Sequence, residues 1–214
     1  MTWCPNDQRG FLSSQTQGQI NDDNVLATWI RELCTDEANK TFLEVGTWNG
    51  LGSTRVFVDA LKDRVDTTFY SLECNSEKSA HAKKFYENVA NVHILNEILV
   101  ELTPEQVYEV FPEAKDDPEF NRWNNVDIEN MKECNVFSAC ETFDVVLLDG
   151  GEFTTYHEFQ RIKDRCTYLL LDDTNTNKCK KIVEEVKAHP ETWKVLEEDA
   201  STRNGVMMLQ HIYN

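Results

Sequence analysis

Apolar and polar positions alternate along this chain in two periods, and the period switches repeatedly. Val25, Leu26, Trp29, Ile30 and Leu33 recur at helical spacing within 22–37, which predicts a helix covering a sheet, with Trp29 in the core. Phe42, Leu43 and Val45 surround a single acid in TFLEV, so Thr41 to Val45 reads as a buried strand, and glycine ends it. Val56, Phe57, Ala60 and Leu61 then support a helix to about residue 62. The same alternation predicts strands at 65–72, 91–95, 143–148, 168–171, 193–196 and 206–212, and helices at 76–88, 155–164 and 177–188. VVLL within 143–148 is the pattern of a strand covered on both faces. His189-Pro190 ends the last helix, and Arg203-Asn204-Gly205 supplies a turn between the final two strands.

Strands alternating with helices predict a three-layer α/β fold with a mostly parallel seven-stranded sheet and one antiparallel strand. A chain of 214 residues with 40% hydrophobic content forms one such domain, here 22–214. Residues 1–21, rich in Ser, Gln and Asn around Pro5, Gly10 and Gly18, read as an arm or lid over the ligand mouth. The stretch 97–140 is too long for a plain loop, so a helical insertion is expected, shaping an acceptor pocket or a subunit interface. In it, LTPEQVYEVF suits a short helix, and Trp123, Asn124 and Asn125 are candidates for a substrate wall.

The chemistry concentrates at strand ends. TFLEVGTWNGLGST has a carboxylate, Glu44, at the strand end, and Gly46, Gly50 and Gly52 in the bend, with Ser53 and Thr54 placed to cap the next helix. This is neither the GxGxxG of a dinucleotide site nor a Walker loop, and an acid beside the glycines repels diphosphate and suits an ammonium. Glu73, 27 residues past Gly46, ends the second strand and suits a ribose diol. Asn96 follows the third strand, where its amide would contact a nucleoside or satisfy the loop. Asp149 follows the fourth and Asp172-Asp173 the fifth. Their mutual repulsion calls for a cation: carboxylate oxygens with water suit magnesium, and also accept manganese or calcium.

Charge and cysteines narrow the classes. A net charge of -17 disfavours binding to nucleic acid or an anionic membrane. No run approaches the roughly 18 apolar residues of a membrane span and no secretory signal is evident, so a cytoplasmic protein without membrane insertion is expected. Seven scattered cysteines without CxxC argue against structural zinc; Cys166 reads as a small buried hydrophobe.

Together the glycine bend and the acids resemble class I S-adenosylmethionine-dependent O-methyltransferases, over roughly residues 22–212. The resemblance implies S-adenosyl-L-methionine as cofactor. Its methionine part would lie on Glu44, Gly46, Thr47, Gly50, Gly52, Ser53 and Asp149, its ribose on Glu73 and its adenine near Asn96. Asp149 with Asp172-Asp173 matches the metal acids of the members that use a divalent ion on catechols and natural-product sugars. DGGEFTTYHEF resembles sugar-modifying members, including enzymes that decorate glycans of large DNA viruses, whose compartment would be the host cytoplasm. The implied acceptor is therefore a sugar, nucleotide-sugar or glycan hydroxyl, a deoxyhexose such as rhamnose in particular. Catechol-like small molecules and a noncatalytic cofactor-binding scaffold are the alternatives, and a homodimer is compatible.

Catalysis would fall to Asp149, Glu152 and His157. Glu152 stands where catechol relatives place lysine and many broader relatives histidine, and is the candidate base; His157 competes from the start of the following helix. Phe153 and Tyr156 are candidates for lining the acceptor by apolar contact.

Overall fold

The structure, a computed structural model, describes residues 19–116, 118, 121–122, 128–129 and 135–212. The Trp123-Asn124-Asn125 wall and residues 1–18 of the N-terminal arm lie outside the described residues. The elements, in order, are α1 (Val25–Thr35), β1 (Thr41–Val45), α2 (Ser53–Leu61), β2 (Thr68–Leu72), α3 (Ser76–Tyr86), β3 (Val92–Leu95), α4 (Pro104–Val110), α5 (Glu113–Asp116) and α6 (Val136–Ala139). There follow β4 (Phe143–Leu148), α7 (Thr155–Ile162), β5 (Cys166–Asp172), α8 (Lys180–Ala188), β6 (Trp193–Asp199) and β7 (Val206–His211).

One seven-stranded sheet results, in the order β3-β2-β1-β4-β5-β7-β6. Pairing is parallel except for β7, which runs antiparallel to both β5 and β6. The predicted fold class is therefore the observed one. Strand alternation builds the three layers: Phe42, Phe69 and Leu147 face α1, α2 and α3, whereas Leu43, Val146 and Leu148 face α7 and α8. Trp29 is in the first core, as expected, and Cys166 lies fully buried in the second. β4, at the centre, has four consecutive fully buried residues from Val145 to Leu148.

Several boundaries moved for identifiable reasons. β2 begins at Thr68, opposite Thr41; Val65 is exposed, and the preceding residues turn, with the Thr67 N–H on the Arg64 carbonyl. Helix α8 starts at Lys180 because residues 173–177 are drawn into other contacts described below. Residues 19 and 20, read as part of the arm, pack down: Ile20 is in the core, and Gln19 lies over the glycine bend. In the insertion, α4 is started by a Thr103–Gln106 capping box with Pro104 in the first turn. Val107, Phe111 and Ala114 then pack on Phe153 in the loop after β4. No helix among the described residues is long and apolar enough to cross a membrane.

Candidate functional site

Each parallel strand delivers its last residue to the same edge of the sheet, and β1 and β4, adjacent at the centre, set the site's geometry. The Asp149 N–H donates to the Val45 carbonyl, extending the ladder past both strands. Gly46 follows with φ +104°, and a Cβ built on it would stand 2.1 Å from the Asp149 carbonyl oxygen. The bend thus passes directly over the end of β4, which only glycine permits.

Glu44 points to the α2 side and is fully buried. Oε2 accepts from the Thr54 hydroxyl at 2.6 Å and from the Ser71 hydroxyl, while Oε1 has no partner among the described residues. Burial pushes this carboxyl up to about 7, against the lowering effect of hydroxyls from Ser53, Ser71 and Thr54. The expectation that Ser53 and Thr54 cap α2 is corrected here. The helix begins at Ser53, its N-cap is Gly52 without a side-chain bond, and the hydroxyls inside the first turn serve Glu44 instead. Thr47 joins them through its hydroxyl, 2.5 Å from that of Ser71.

Glu73 is nearly buried beside the bend, accepting N–H groups from Trp48 at 2.7 Å and Asn75 at 2.9 Å. Burial raises its pKa, with those N–H groups and Lys78 opposing. A carboxylate has about four lone-pair sites, so capacity for a diol is left. Asn96, itself exposed, donates its amide to the Glu73 and Cys74 carbonyls, which fixes the β2–α3 loop. Gly50 and Gly52 pack tightly, the former against Ala82 and the latter against Gln19.

Beyond the bend the three predicted acids do converge: one ligand oxygen each from Asp149, Asp172 and Asp173 falls within 4.8 Å of the others. Two residues that the sequence reading missed are already among them. Lys178 Nζ lies 2.7 Å from Asp149 Oδ1 and 2.6 Å from Asp173 Oδ2. Arg203 grips the buried Asp172 with Nε at 3.0 Å from Oδ1 and a terminal nitrogen at 2.8 Å from Oδ2. Asn204 donates to Asp173 Oδ1 at 2.9 Å. Burial and the Asp149 charge push Asp172 up to about 6 despite Arg203. Burial also opposes ionisation of Asp173, yet Lys178, Asn204 and Arg203 outweigh it and hold that carboxyl below its usual value. Burial disfavours the Lys178 charge, but Asp149 and Asp173 prevail and raise its pKa.

The donor set suits a divalent ion in residue type and spacing, but as arranged it does not fit one. An ammonium bridges two of the carboxylates and a guanidinium holds the third, so the repulsion that called for a metal is relieved from within the chain.

Arg203 reaches Asp172 because the β6–β7 turn is zipped to the loop after β5: the Thr174 N–H donates to the Gly205 carbonyl and Asn175 N–H to that of Asn204. Gly205, with φ +89°, lets this happen, since a Cβ there would meet Thr174 Oγ1 at 2.3 Å. Glu152 secures the other side of the loop, accepting the Asn177 N–H at 3.0 Å and the Thr176 hydroxyl at 3.3 Å. Its pKa is raised by burial in spite of Asn177 and Lys178.

The remaining predictions separate. His157 is not joined to the acids; burial lowers its pKa, Glu109 on α4 opposes, and its Nε2 has no partner among the described residues. Phe153 and Tyr156 do not form an acceptor wall. Phe153 is buried edge-to-face against Phe111, 5.5 Å between centroids, and the Tyr156 hydroxyl donates to Glu185 at 2.9 Å, because the insertion and α8 take up both rings. Lys178 had one legible signal, a cation five residues past an acid pair; Arg203 had none beyond its turn.

No protein-family model matches the sequence, and no curated protein matches it. Solved structures do match in shape. A methyltransferase of Podospora anserina, PaMTH1, solved with SAH bound, superposes with a TM-score of 0.60 at 13% identity, covering 98% of this chain and 89% of its own. An O-methyltransferase from Bacillus cereus in complex with SAH gives 0.58 at 14% identity over 96% and 88%. A methyltransferase from Geobacter sulfurreducens gives 0.60 at 10% identity over 98% and 92%. At such identities the likeness is one of fold, and this chain has the seven-stranded, Rossmann-like fold of the methyltransferases.

Proposed function

We propose that the protein is an S-adenosylmethionine-dependent O-methyltransferase acting on a hydroxyl of a sugar, nucleotide sugar or glycan, such as a deoxyhexose. The observation that carries this reading is the Gly46 bend lying on the end of β4, with the buried Glu44 Oε1 lacking a partner among the described residues. An ammonium group is the natural complement of that oxygen, and the methionine part of the cofactor bears one. The SAH-bound neighbours of the same fold support the choice of cofactor. For the acceptor, the surroundings are polar: Glu152, Thr176, Asn177 and Asn204 border the acids, and the nearby Phe153 and Tyr156 rings are used in packing. Such a border suits a polyol better than an aromatic diol.

The bound cofactor supplies a methyl group on a sulfonium, and transfer forms an O–C bond while the C–S pair returns to sulfur. The chain has to orient the acceptor oxygen for in-line attack and remove its proton. Glu152 takes that proton, since its raised proton affinity brings it closer to the working pH than an ordinary carboxylate.

Incubation with isotopically labelled S-adenosylmethionine and a panel of deoxyhexoses, nucleotide sugars, glycans and catechols tests the assignment. A methyl ether on a sugar is the expected product by mass; label on catechols alone would redirect the acceptor, and cofactor binding without any product would favour the scaffold. Glu152→Gln retains an acceptor for the Asn177 N–H and is expected to lower kcat about 100-fold with little change in cofactor Kd. Equal losses in both would mean that Glu152 serves only the loop.

Glu44 makes cofactor binding depend on pH. Its carboxyl titrates near 7 and only the ionised form attracts an ammonium, so affinity should rise with pH. Between pH 6 and 8 the rise is about tenfold, following the ionised fraction. Calorimetric titration with SAH should show this in the wild type and a flat profile in Glu44→Gln; parallel profiles would remove Glu44 from the ammonium site.

A further inference from the structure

The end of β4 and the end of β5 are parallel neighbours, with Leu148 opposite Leu171, so the topology brings Asp149 and the Asp172-Asp173 pair together whatever occupies the space between them. Lys178 occupies it. Its ammonium is within hydrogen-bond distance of both acids, and its side chain is only 13% exposed. The loop that carries it is held on two sides. Glu152 takes the Asn177 N–H, and the 174–175 backbone is paired with the β6–β7 turn, so Lys178 is delivered by bonded structure. The third acid is equally committed, because Arg203 comes from that same turn and forks onto Asp172. Three carboxylates thus face an ammonium and a guanidinium, a net single negative charge when all are ionised. A divalent ion would compete for the same oxygens and would have to expel a nearly buried cation from its two partners.

Resting on the methyl-transfer reading, we propose that Lys178 is the resident cation of this cluster, holding Asp149 and Asp173 together in place of a divalent metal and leaving one N–H for the acceptor oxygen. An ammonium has three donors, and the two acids use two of them. The remaining donor would orient the acceptor oxygen beside the Gly46 bend, to which Asp149 is joined.

Mn2+ binding to the full chain, measured by calorimetry and by the loss of the free-ion paramagnetic resonance signal, tests this independently of turnover. The wild type is expected to show no saturable Mn2+ binding. Lys178→Met, which keeps the stem and removes the charge, should bind Mn2+ at least about tenfold more tightly through the freed carboxylates. Saturable binding of one Mn2+ to the wild type, lost in Asp149→Asn, would overturn the proposal; so would a folded Lys178→Met with no gain. If that variant does not fold, the wild-type measurement still decides. SAH titration of the wild type separates the two readings: absent SAH binding sinks methyl transfer and leaves the Mn2+ result standing as a statement about Lys178.

Discussion

Gly46→Ala is expected to abolish SAH binding and to lower stability by about 3 kcal/mol, from left-handed strain together with overpacking. The residue has φ +104°, a conformation that L side chains rarely adopt, and the new methyl would meet main-chain atoms, the Asp149 oxygen at 2.1 Å and its carbon at 2.6 Å. These atoms cannot retreat cheaply. Asp149 N–H is bonded to Val45 O, and β4 is buried between β1 and β5. Relief would pull apart the two strand ends that form the site. Gly150→Ala is the comparison, because a Cβ there meets side-chain atoms, Glu158 Oε2 at 2.6 Å and Thr155 Oγ1 at 2.9 Å, which can rotate. Denaturant unfolding and SAH calorimetry on both variants give the measurement. A Gly46→Ala protein with wild-type stability and binding would show that the bend does not need to lie on β4.

Arg203→Ala should cost about 3–5 kcal/mol of stability at pH 8, the usual penalty for leaving one buried charge of a pair uncompensated. Asp172 has no exposed side-chain surface, and Arg203 is the cation bonded to it. The loss should shrink in acid. Asp172 titrates near 6 in the folded protein, above its ordinary value of 3.8, so the native state binds the extra proton between these pH values. With more protons bound in the native than the unfolded state, this group's contribution to stability falls as pH rises through that window and recovers as pH drops. Removing Arg203 moves the native titration higher still, and the variant should approach the wild type towards pH 5. Asp172→Asn in the Arg203→Ala background should recover most of the loss at pH 8, since the buried charge is then gone. Equal destabilisation at pH 5 and pH 8, without rescue, would mean that Arg203 acts through the turn and not through its charge.

The legible part of this site lies on single strand ends. Glu73, Asp149 and Asp172-Asp173 each stand where an apolar run stops, Glu44 lies one residue before the end of its run, and a parallel sheet sends all such ends to one edge. Their convergence therefore followed from local pattern plus one topological rule. Lys178 and Arg203 carried no comparable mark. Lys178 precedes a helix that carries exposed lysines of its own, Lys180 and Lys187, and Arg203 sits in a turn whose sequence accounts for it as a turn. Their roles arise only when β7 inserts between β5 and β6 and its turn docks on the loop after β5. Phe153 and Tyr156 show the same limit in reverse: aromatic rings beside a site motif suggested a wall, and the insertion and α8 claimed them for packing.

By itself the chain's pattern determined the element order, the parallel core with one antiparallel strand, and which acids stand at its carboxyl edge, because hydrophobic period and glycine punctuation are local properties. Only the tertiary structure decided that the acids are closed by Lys178 and Arg203 and that, among the described residues, one Glu44 oxygen has no partner. Those outcomes depend on contacts between residues 27 to 31 positions apart, where burial sets the strength of charge and hydrogen bonding, and no local pattern carries that information.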